Sequence, residues 1–377
     1  MNVALVSLSG TITEVHYLNG LTQAILSCNE ISKVCLFIPG YTDVNTLPKE
    51  IKIYAIEPYK FIRSPFKAII KSLNPNIYRR IYKEIDAFKP DVIHIPFEFR
   101  VSYLFLSKLK RKYPIVSTIH EPYGTLTSYK RKFLLNPIQN MNTNYIVKNS
   151  NKIIVHGDKH KNFYIKKGVS EKKIRIIEHV AVPYPYDVTL LPTQKRNILF
   201  FGKIRENKGI DNLIKACKTV SQQYPDITIT IAGEGDFSYY DRIIGNDDHF
   251  IVHNRFIPDE EITTLFSEAT VLVLPYTEGS QSGIISIAAQ FKKPVIVTDV
   301  GHLSQMVIDG KSGFVVPRNN NDALVKAIIT LLSNYRLREE MGIFAYEFIK
   351  EKHSASVVGI DVVNVYKEAI DSRKYQN

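Results

Sequence analysis

NILFFGKIRENKGIDNLIKA, residues 197–216, is the stretch that decides how this chain is read. An apolar run, Ile198 to Phe201, has the length and composition of a buried strand. Gly202 breaks it, and a helix carrying Ile210, Leu213 and Ile214 begins just past Gly209. Lys203, Arg205 and Lys208 lie between the two. A glycine turn lets backbone approach an anion closely, and the helix N-terminus that follows favours negative charge. Three cations at such a turn fit a bound diphosphate. A solvated basic loop accounts for the same residues equally well at this point.

Working outward, strand-like and helix-like segments alternate nearly throughout. Strands are expected at Val3–Ser7, Val34–Ile38, Ile51–Ala55, Val92–Ile95, Ile115–Ile119 and Lys152–Val155, with helices at 16–28, 76–88, 100–112 and 158–167. The second half repeats the pattern. Its strands are Ile198–Phe201, Ile227–Ala232, Phe250–His253, Val271–Leu274, Val295–Thr298 and Gly313–Val315, and its helices run near 209–223, 259–267, 283–291, 321–333 and 335–350. Continuous β-branched runs between helices indicate parallel strands buried on both faces. At 377 residues the chain is too long for one ordinary core. Two doubly wound, Rossmann-like α/β domains are therefore expected, residues 1–188 and 189–354. The boundary falls in VPYPYDVTLLPTQKR, residues 182–196, which has three prolines and no clear period. Residues 355–377 include Val357, Val358, Ile360, Val362, Val363, Val365 and Tyr366, too apolar for a dangling tail. A final helix packing back on the first domain is expected.

Net charge is +12, unevenly spread. Residues 1–190 hold 28 Lys/Arg against 14 Asp/Glu, or +14, and the remainder holds 21 against 23, or −2. The excess points to an anionic partner for the first half. It is densest in YKFIRSPFKAIIKSLNPNIYRRIYK, residues 59–83, with seven basic residues, no acidic ones and interleaved Phe and Ile. Such a surface suits anionic lipid headgroups. It fits nucleic acid less well, and a solvated loop with a few buried anchors also accounts for it. Pro65 and Pro75 interrupt any single long helix there. No apolar run approaches the ~20 residues needed to cross a bilayer. The start, MNVALVSLSG, lacks a basic leader. Cys28, Cys35 and Cys217 have no metal-ligand spacing and read as small buried hydrophobes of a reducing compartment. A cytoplasmic protein is expected, peripheral on the inner membrane face.

In open parallel sheets ligands bind beyond the carboxyl ends of strands. Gly10 follows the first strand, with His16 in the helix after it, as cleft or acceptor candidates. His120 follows Ile115–Ile119, placed either to donate a hydrogen bond to a polar ligand or merely to cap the sheet. Gly233 follows Ile227–Ala232. Arg255, Phe256 and Ile257 follow Phe250–His253, as a shelf for a flat base or as a loop held by two apolar anchors. Asp259 reads as the N-cap of the next helix. Glu278 and then Gly279, Ser280, Gln281, Ser282 and Gly283 lie between Val271–Leu274 and a helix, a second run of backbone N–H groups suited to phosphate. Two anion-ready helix starts in one domain suit a nucleoside diphosphate, with a second substrate against the basic half and the reaction in a cleft between them.

At this point the residues resemble a known family. FFGKIRENKGIDNLIKA, ITIAGEGDF, FIPDEEITTLFSEATVLVLPY, KKPVIVTDVGHLSQMVIDGKSGFVVP and NNDALVKAIITLL occur in the order and spacing of glycosyltransferase family 4, the retaining enzymes of GT-B fold. The match covers roughly 197–350. The first half is more weakly similar, through the Gly10 turn, KPDVIHIP and PIVSTIHEP. The resemblance implies two Rossmann-like domains facing a central cleft, and transfer of a sugar from a nucleotide-sugar to an acceptor hydroxyl. The acceptor would be a lipid-linked glycan or polysaccharide precursor. It implies that Lys203 and Lys208 bind the donor diphosphate, aided by Arg205 and Gly202, and that His120 contacts the transferred sugar. With lysines neutralising the phosphates, neither metal nor cofactor is required. Of the two glutamates the family carries eight positions apart, the second falls on Ile287 and the first on Gly279, with Glu278 one step away. Glu278, Ser282 and Gly283 are the expected substitutes. Two other functions share these features: a nucleotide-sugar epimerase or sugar phosphorylase, and a degenerate partner subunit that binds nucleotide without turnover.

Overall fold

The computed structural model describes all residues except 9–11, 41, 43, 57–74, 98–101, 121–135, 182–195, 279–281 and 375–377. The chain forms two compact units, Met1–Val182 with Lys352–Asn377, and Pro183–Glu351. The interrupted segment 182–196 lies outside the described residues except Arg196, as do Gly10, Gln281 and most of the basic stretch 59–83.

The first unit is built on seven parallel strands: β1 (Asn2–Val6), β2 (Lys33–Pro39), β3 (Lys52–Ile56), β4 (Val92–Ile95), β5 (Ile115–Thr118), β6 (Lys152–Val155) and β7 (Ile174–Ile176). Their order is β3-β2-β1-β4-β5-β6-β7. Helices α1 (Ile12–Leu26), α2 (Pro75–Phe88), α3 (Ser102–Leu109), α4 (Asn136–Asn149) and α5 (Asp158–Lys166) connect them. Val3, Ala4, Leu5 and Val6 are all fully buried, because both faces of β1 are covered. α2 shows how the sequence pattern works. Ile77, Tyr78, Ile81 and Ile85 recur at helical spacing and are buried, while Arg79, Arg80 and Lys83 stay exposed.

The second unit has six parallel strands: β8 (Arg196–Phe201), β9 (Ile227–Ala232), β10 (Phe250–His253), β11 (Val271–Leu274), β12 (Val295–Thr298) and β13 (Gly313–Val316), ordered β10-β9-β8-β11-β12-β13. Helices α6 (Ile210–Gln223), α7 (Ser238–Ile244), α8 (Asp259–Glu268), α9 (Ile284–Gln290), α10 (Asn321–Ser333) and α11 (Tyr335–His353), the last as far as Glu351, belong to it. In both sheets the strand order reverses once, between β1 and β4 and between β8 and β11, so each has a switch point where its strand ends diverge.

The last helix, α12 (Ala355–Lys374), belongs to the first unit. Val358, Val362, Val363, Val365, Tyr366 and Ala369 are buried, whereas Val357 and Ile360 face outward. Burial of one such side chain contributes about 1.5–3 kcal/mol. Gly359 sits so close to α1 that a Cβ would lie 2.1 Å from the Ala24 carbonyl oxygen. Polar contacts add to this packing. The Tyr366 hydroxyl meets His94 Nδ1 at 2.7 Å, and Glu368 pairs with Lys152 at 2.6 Å and Arg175 at 2.7 Å.

Three elements were not read from the sequence: β7, α4 and α7. β7 is three residues long and α7 is seven, too short for a clear period. α4, NPIQNMNTNYIVKN, is polar over most of its length. The cap of α8 also differs from expectation. Pro258 holds that position, with Asp259 the first helical residue, because Pro258 has the extended backbone of a cap. All three cysteines are buried. Burial pushes the Cys35 thiol up to about 12. Among the described residues no helix is long and apolar enough to cross a membrane.

Candidate functional site

The loops after β8, β9 and β11 close on one another at the switch point of the second sheet. Gly202 has φ 138° and its N–H donates to the Ala232 carbonyl at 3.0 Å. Gly233 follows with φ 148°, and a Cβ there would lie 1.9 Å from the Gly202 carbonyl oxygen. Gly233 thus serves the close approach of two strand ends. The chain continues through Ile204, buried and bonded to Glu234, then through a 3-10 turn, Glu206–Lys208. Gly209 turns left-handed (φ 64°) and opens α6. Its Cα faces the loop after β11 so closely that a Cβ would lie 1.9 Å from the Pro275 carbonyl oxygen.

Asn207 ties that turn to the third loop. Its carbonyl accepts from the Thr277 N–H at 3.0 Å, and its side-chain amide donates to the Glu278 carbonyl at 3.3 Å. Arg318 adds a hydrogen bond to the Thr277 carbonyl at 3.3 Å. The Lys208 ammonium lies 3.6 Å from the centre of the Tyr276 ring. Tyr276 is itself buried, with its hydroxyl 3.2 Å from Ser282 Oγ. The backbone around Lys203 and Lys208 is thus held from three sides. The Lys203 and Arg205 side chains are exposed, and Lys208 is half-buried over its ring.

The remaining expected residues divide. Glu278 is half-buried and anchored through its backbone to Asn207. Ser282 is buried and Gly283 exposed, one residue before α9. Ile287 lies within α9, packed against the core, where a glutamate would meet apolar side chains. Arg255 forms a two-pronged ion pair with Glu261, at 3.0 and 2.5 Å. That hydrogen bond holds the Glu261 carboxyl below its usual range. Phe256 is 63% exposed, but Ile257 is buried in the core, so the three do not form one shelf.

In the first unit His16 is exposed on α1. His120 is half-buried, and both its ring nitrogens face groups of the same unit. Nε2 lies 2.9 Å from the Pro96 carbonyl oxygen and Nδ1 lies 3.2 Å from His156 Nε2. These two contacts orient the His120 ring within the unit. Burial pushes the His120 imidazole down to about 4.

Sequence reasoning missed Asn207, Tyr276, His156 and His179. Asn207 and Tyr276 matter through contacts between loops that are distant in sequence. His156 was findable, since KIIVH repeats the strand-then-histidine pattern of IVSTIH.

Comparison with known proteins follows this division. Residues 187–348 match the model for glycosyl transferases group 1, and residues 33–180 match that for glycosyltransferase family 4. The phosphatidyl-myo-inositol mannosyltransferase of Mycolicibacterium smegmatis is 26% identical over 324 residues, covering 83% of this chain and 81% of the relative. An uncharacterized glycosyltransferase of Methanocaldococcus jannaschii is 27% identical over 218 residues, 53% of this chain and 55% of that relative. Among solved structures, sucrose-phosphate synthase from Thermosynechococcus elongatus superposes with a TM-score of 0.79 at 18% identity, over 99% of this chain and 100% of that one. An Anabaena protein solved in complex with UDP superposes with a TM-score of 0.72 at 14% identity, over 97% of this chain and 100% of that one. At such identities the structural likeness speaks to fold alone, and that fold is GT-B. One family model lies on each unit, and the chain belongs to the group 1, family 4 glycosyltransferases.

Proposed function

We propose that this chain is a retaining glycosyltransferase that moves a hexose from a nucleoside-diphosphate sugar to an acceptor hydroxyl. The observation that carries the reading is the Gly202–Gly209 turn. It brings Lys203, Arg205 and Lys208 to a helix N-terminus at the switch point of a parallel sheet. Nucleoside diphosphate is the leaving group of such a transfer. Cations held at its phosphates stabilise the charge that develops as the glycosidic bond breaks. Lys203 supplies a point charge where an arginine would bind in bidentate fashion, and Arg205 offers the forked geometry two residues on. The lysines neutralise the diphosphate without a metal. Glu278 and the backbone at Ser282 and Gly283 hold the sugar or ribose hydroxyls.

The acceptor is a lipid-linked glycan or polysaccharide precursor at the cytoplasmic membrane face. The charge of +14 on residues 1–190 supports this, as do the outward Arg79, Arg80 and Lys83 of α2. The mycobacterial relative, named for its action on phosphatidyl-myo-inositol, is consistent with an anionic lipid partner.

The deciding experiment is thermal denaturation against a panel of UDP-, GDP- and ADP-linked sugars. A bound donor raises the melting temperature by mass action. One base series is expected to stabilise the wild type, and Lys208→Ala to lose that shift. An unchanged shift in Lys208→Ala would remove the diphosphate from this turn. Product analysis with and without acceptor separates transfer from epimerisation, phosphorolysis and nucleotide binding without turnover.

A further inference from the structure

β10 is an outer strand of the second sheet, and it leaves apolar side chains in solvent. Ile251 and Val252 point to opposite faces of the sheet and are 46% and 36% exposed. Sheet edges are usually protected by charged residues, prolines or bulges. The outer strands β3 and β7 carry Lys52 and Arg175. β10 reads FIVH, with no Lys, Arg, Asp, Glu or Pro, and it is no shorter than β11, β12 or β13.

The inner ladder fixes which backbone groups are left over. The Ile229 N–H donates to the His249 carbonyl at 2.8 Å, and the Gly233 N–H donates to the His253 carbonyl at 3.0 Å. Odd-numbered residues of this segment therefore turn their peptide groups to β9, and even-numbered ones turn theirs outward. Phe250 follows the alternation, since its N–H donates to the Asp247 carbonyl at 3.2 Å and not to β9. The outer side then offers, in chain order, the Phe250 carbonyl, the Val252 N–H, the Val252 carbonyl and the Asn254 N–H. Laid antiparallel on itself about Val252, this row matches every donor with an acceptor. Each Val252 N–H meets the other Val252 carbonyl, and each Asn254 N–H meets a Phe250 carbonyl. The flanks match in charge. Asp247 and Asp248 precede the strand, and Arg255, paired with its own Glu261 yet exposed, follows it. An antiparallel pairing brings the acidic turn of one copy to the arginine side of the other.

We propose that β10 pairs antiparallel with β10 of a second copy of this chain, about a two-fold axis at Val252. The two sheets of six strands then run on as one. The pairing covers Ile251 and Val252 and uses the same patch on both copies, so it closes at a dimer and does not propagate. It draws on the edge of the second sheet alone and is independent of the sugar-transfer reading.

The test is sedimentation velocity of the full-length protein. So small a contact predicts a reversible monomer–dimer equilibrium with a dissociation constant on the order of micromolar. Val252→Pro removes the central N–H, at an edge position where proline is tolerated because that N–H faces outward. Ile251→Lys places a charge on the edge. Each should weaken association at least about tenfold. Ile360→Lys, at an exposed aliphatic residue of α12, should leave association unchanged. Paired residues of such a ladder lie about 5.5 Å apart at Cα, within disulfide reach. Val252→Cys should therefore give a covalent dimer on oxidation, and Ile360→Cys should not; the native cysteines are buried. Should Val252→Pro and Ile251→Lys fail to fold, the cysteine cross-link decides. A wild type that stays monomeric, including one whose β10 pairs only with a different protein, overturns the proposal. So do growth beyond a dimer, association unchanged in both folded edge variants, and absence of the Val252→Cys cross-link.

Discussion

The Lys208 ammonium stands 3.6 Å from the centre of the buried Tyr276 ring, joining the turn after β8 to the loop after β11. The ring face limits where the ammonium can go and shields it on one side from water. Such a contact is worth about 0.5–2 kcal/mol, depending on how far the pair is desolvated. Tyr276→Phe keeps the ring and loses only the hydroxyl contact to Ser282. Tyr276→Leu loses the ring. Donor affinity, measured by calorimetry, is expected to stay within about twofold in the first and to fall roughly 2–30-fold in the second. Equal affinities in the two variants would show that the ring has no part in binding.

Gly209 and Gly245 share nearly the same positive φ, 64° and 66°, but differ in ψ, 30° and −136°, and in their surroundings. A Cβ at Gly245 meets nothing within 4 Å, whereas one at Gly209 would lie 1.9 Å from the Pro275 oxygen. Gly245→Ala carries only the conformational cost of a backbone that side chains rarely adopt, about 1–3 kcal/mol. Gly209→Ala must also push two backbone segments apart, and should cost about 3 kcal/mol or more and abolish donor binding. Urea denaturation of both variants measures the difference. Similar losses in the two would contradict the close approach.

Glu368 on α12 binds Lys152 and Arg175. Its partial burial alone would raise its pKa, but hydrogen bonds from Lys152 and Arg175 outweigh that and hold the carboxyl below its usual range. A lowered carboxylate pKa contributes stability above the unfolded value, about 4.3, that is lost as pH falls through the folded value. The group is more than a third exposed, so screening keeps the contribution near ~1 kcal/mol. Glu368→Gln should therefore melt about 2–4 °C lower near neutral pH, and the gap should close between about pH 5 and pH 3. A gap independent of pH would mean that packing, not charge, ties this part of α12 to β6 and β7.

Tyr366 and His94 bury a polar chain under α12. The hydroxyl meets His94 Nδ1 at 2.7 Å, and His94 Nε2 meets Thr118 Oγ1 at 2.8 Å. Burial drives His94 down to about 3, so the ring is neutral and each nitrogen requires a partner of matching role. Tyr366→Phe leaves Nδ1 without that partner at nearly constant volume, at a cost of about 1–3 kcal/mol. The denaturant midpoint should fall with the slope unchanged. A midpoint equal to that of the wild type would show that water reaches His94.

Much of this architecture is legible without coordinates. β4, β6, β9, β10, β11 and β12 run over the residues expected of them, because a β-branched run between turn residues is a local signal. The Gly202–Gly209 turn is legible for the same reason. The meeting of His120, His156 and His179 is not. They lie 36 and 23 positions apart, and no spacing rule joins them. They meet because β5, β6 and β7 are neighbours in one parallel sheet, which brings their carboxyl ends together.

By itself the sequence determined the kind of elements, their order, the parallel character of both sheets and the cationic turn before α6. These depend on side-chain period, backbone permissiveness and helix polarity, all settled within a few residues of chain. Only the tertiary structure decided that Lys208 rests on Tyr276, that Asn207 ties two loops together, that Ile257 faces the core, and that His120 turns both nitrogens inward. Those outcomes depend on which strand ends lie side by side and how closely glycine lets them approach. Both are set by packing between segments far apart in the chain.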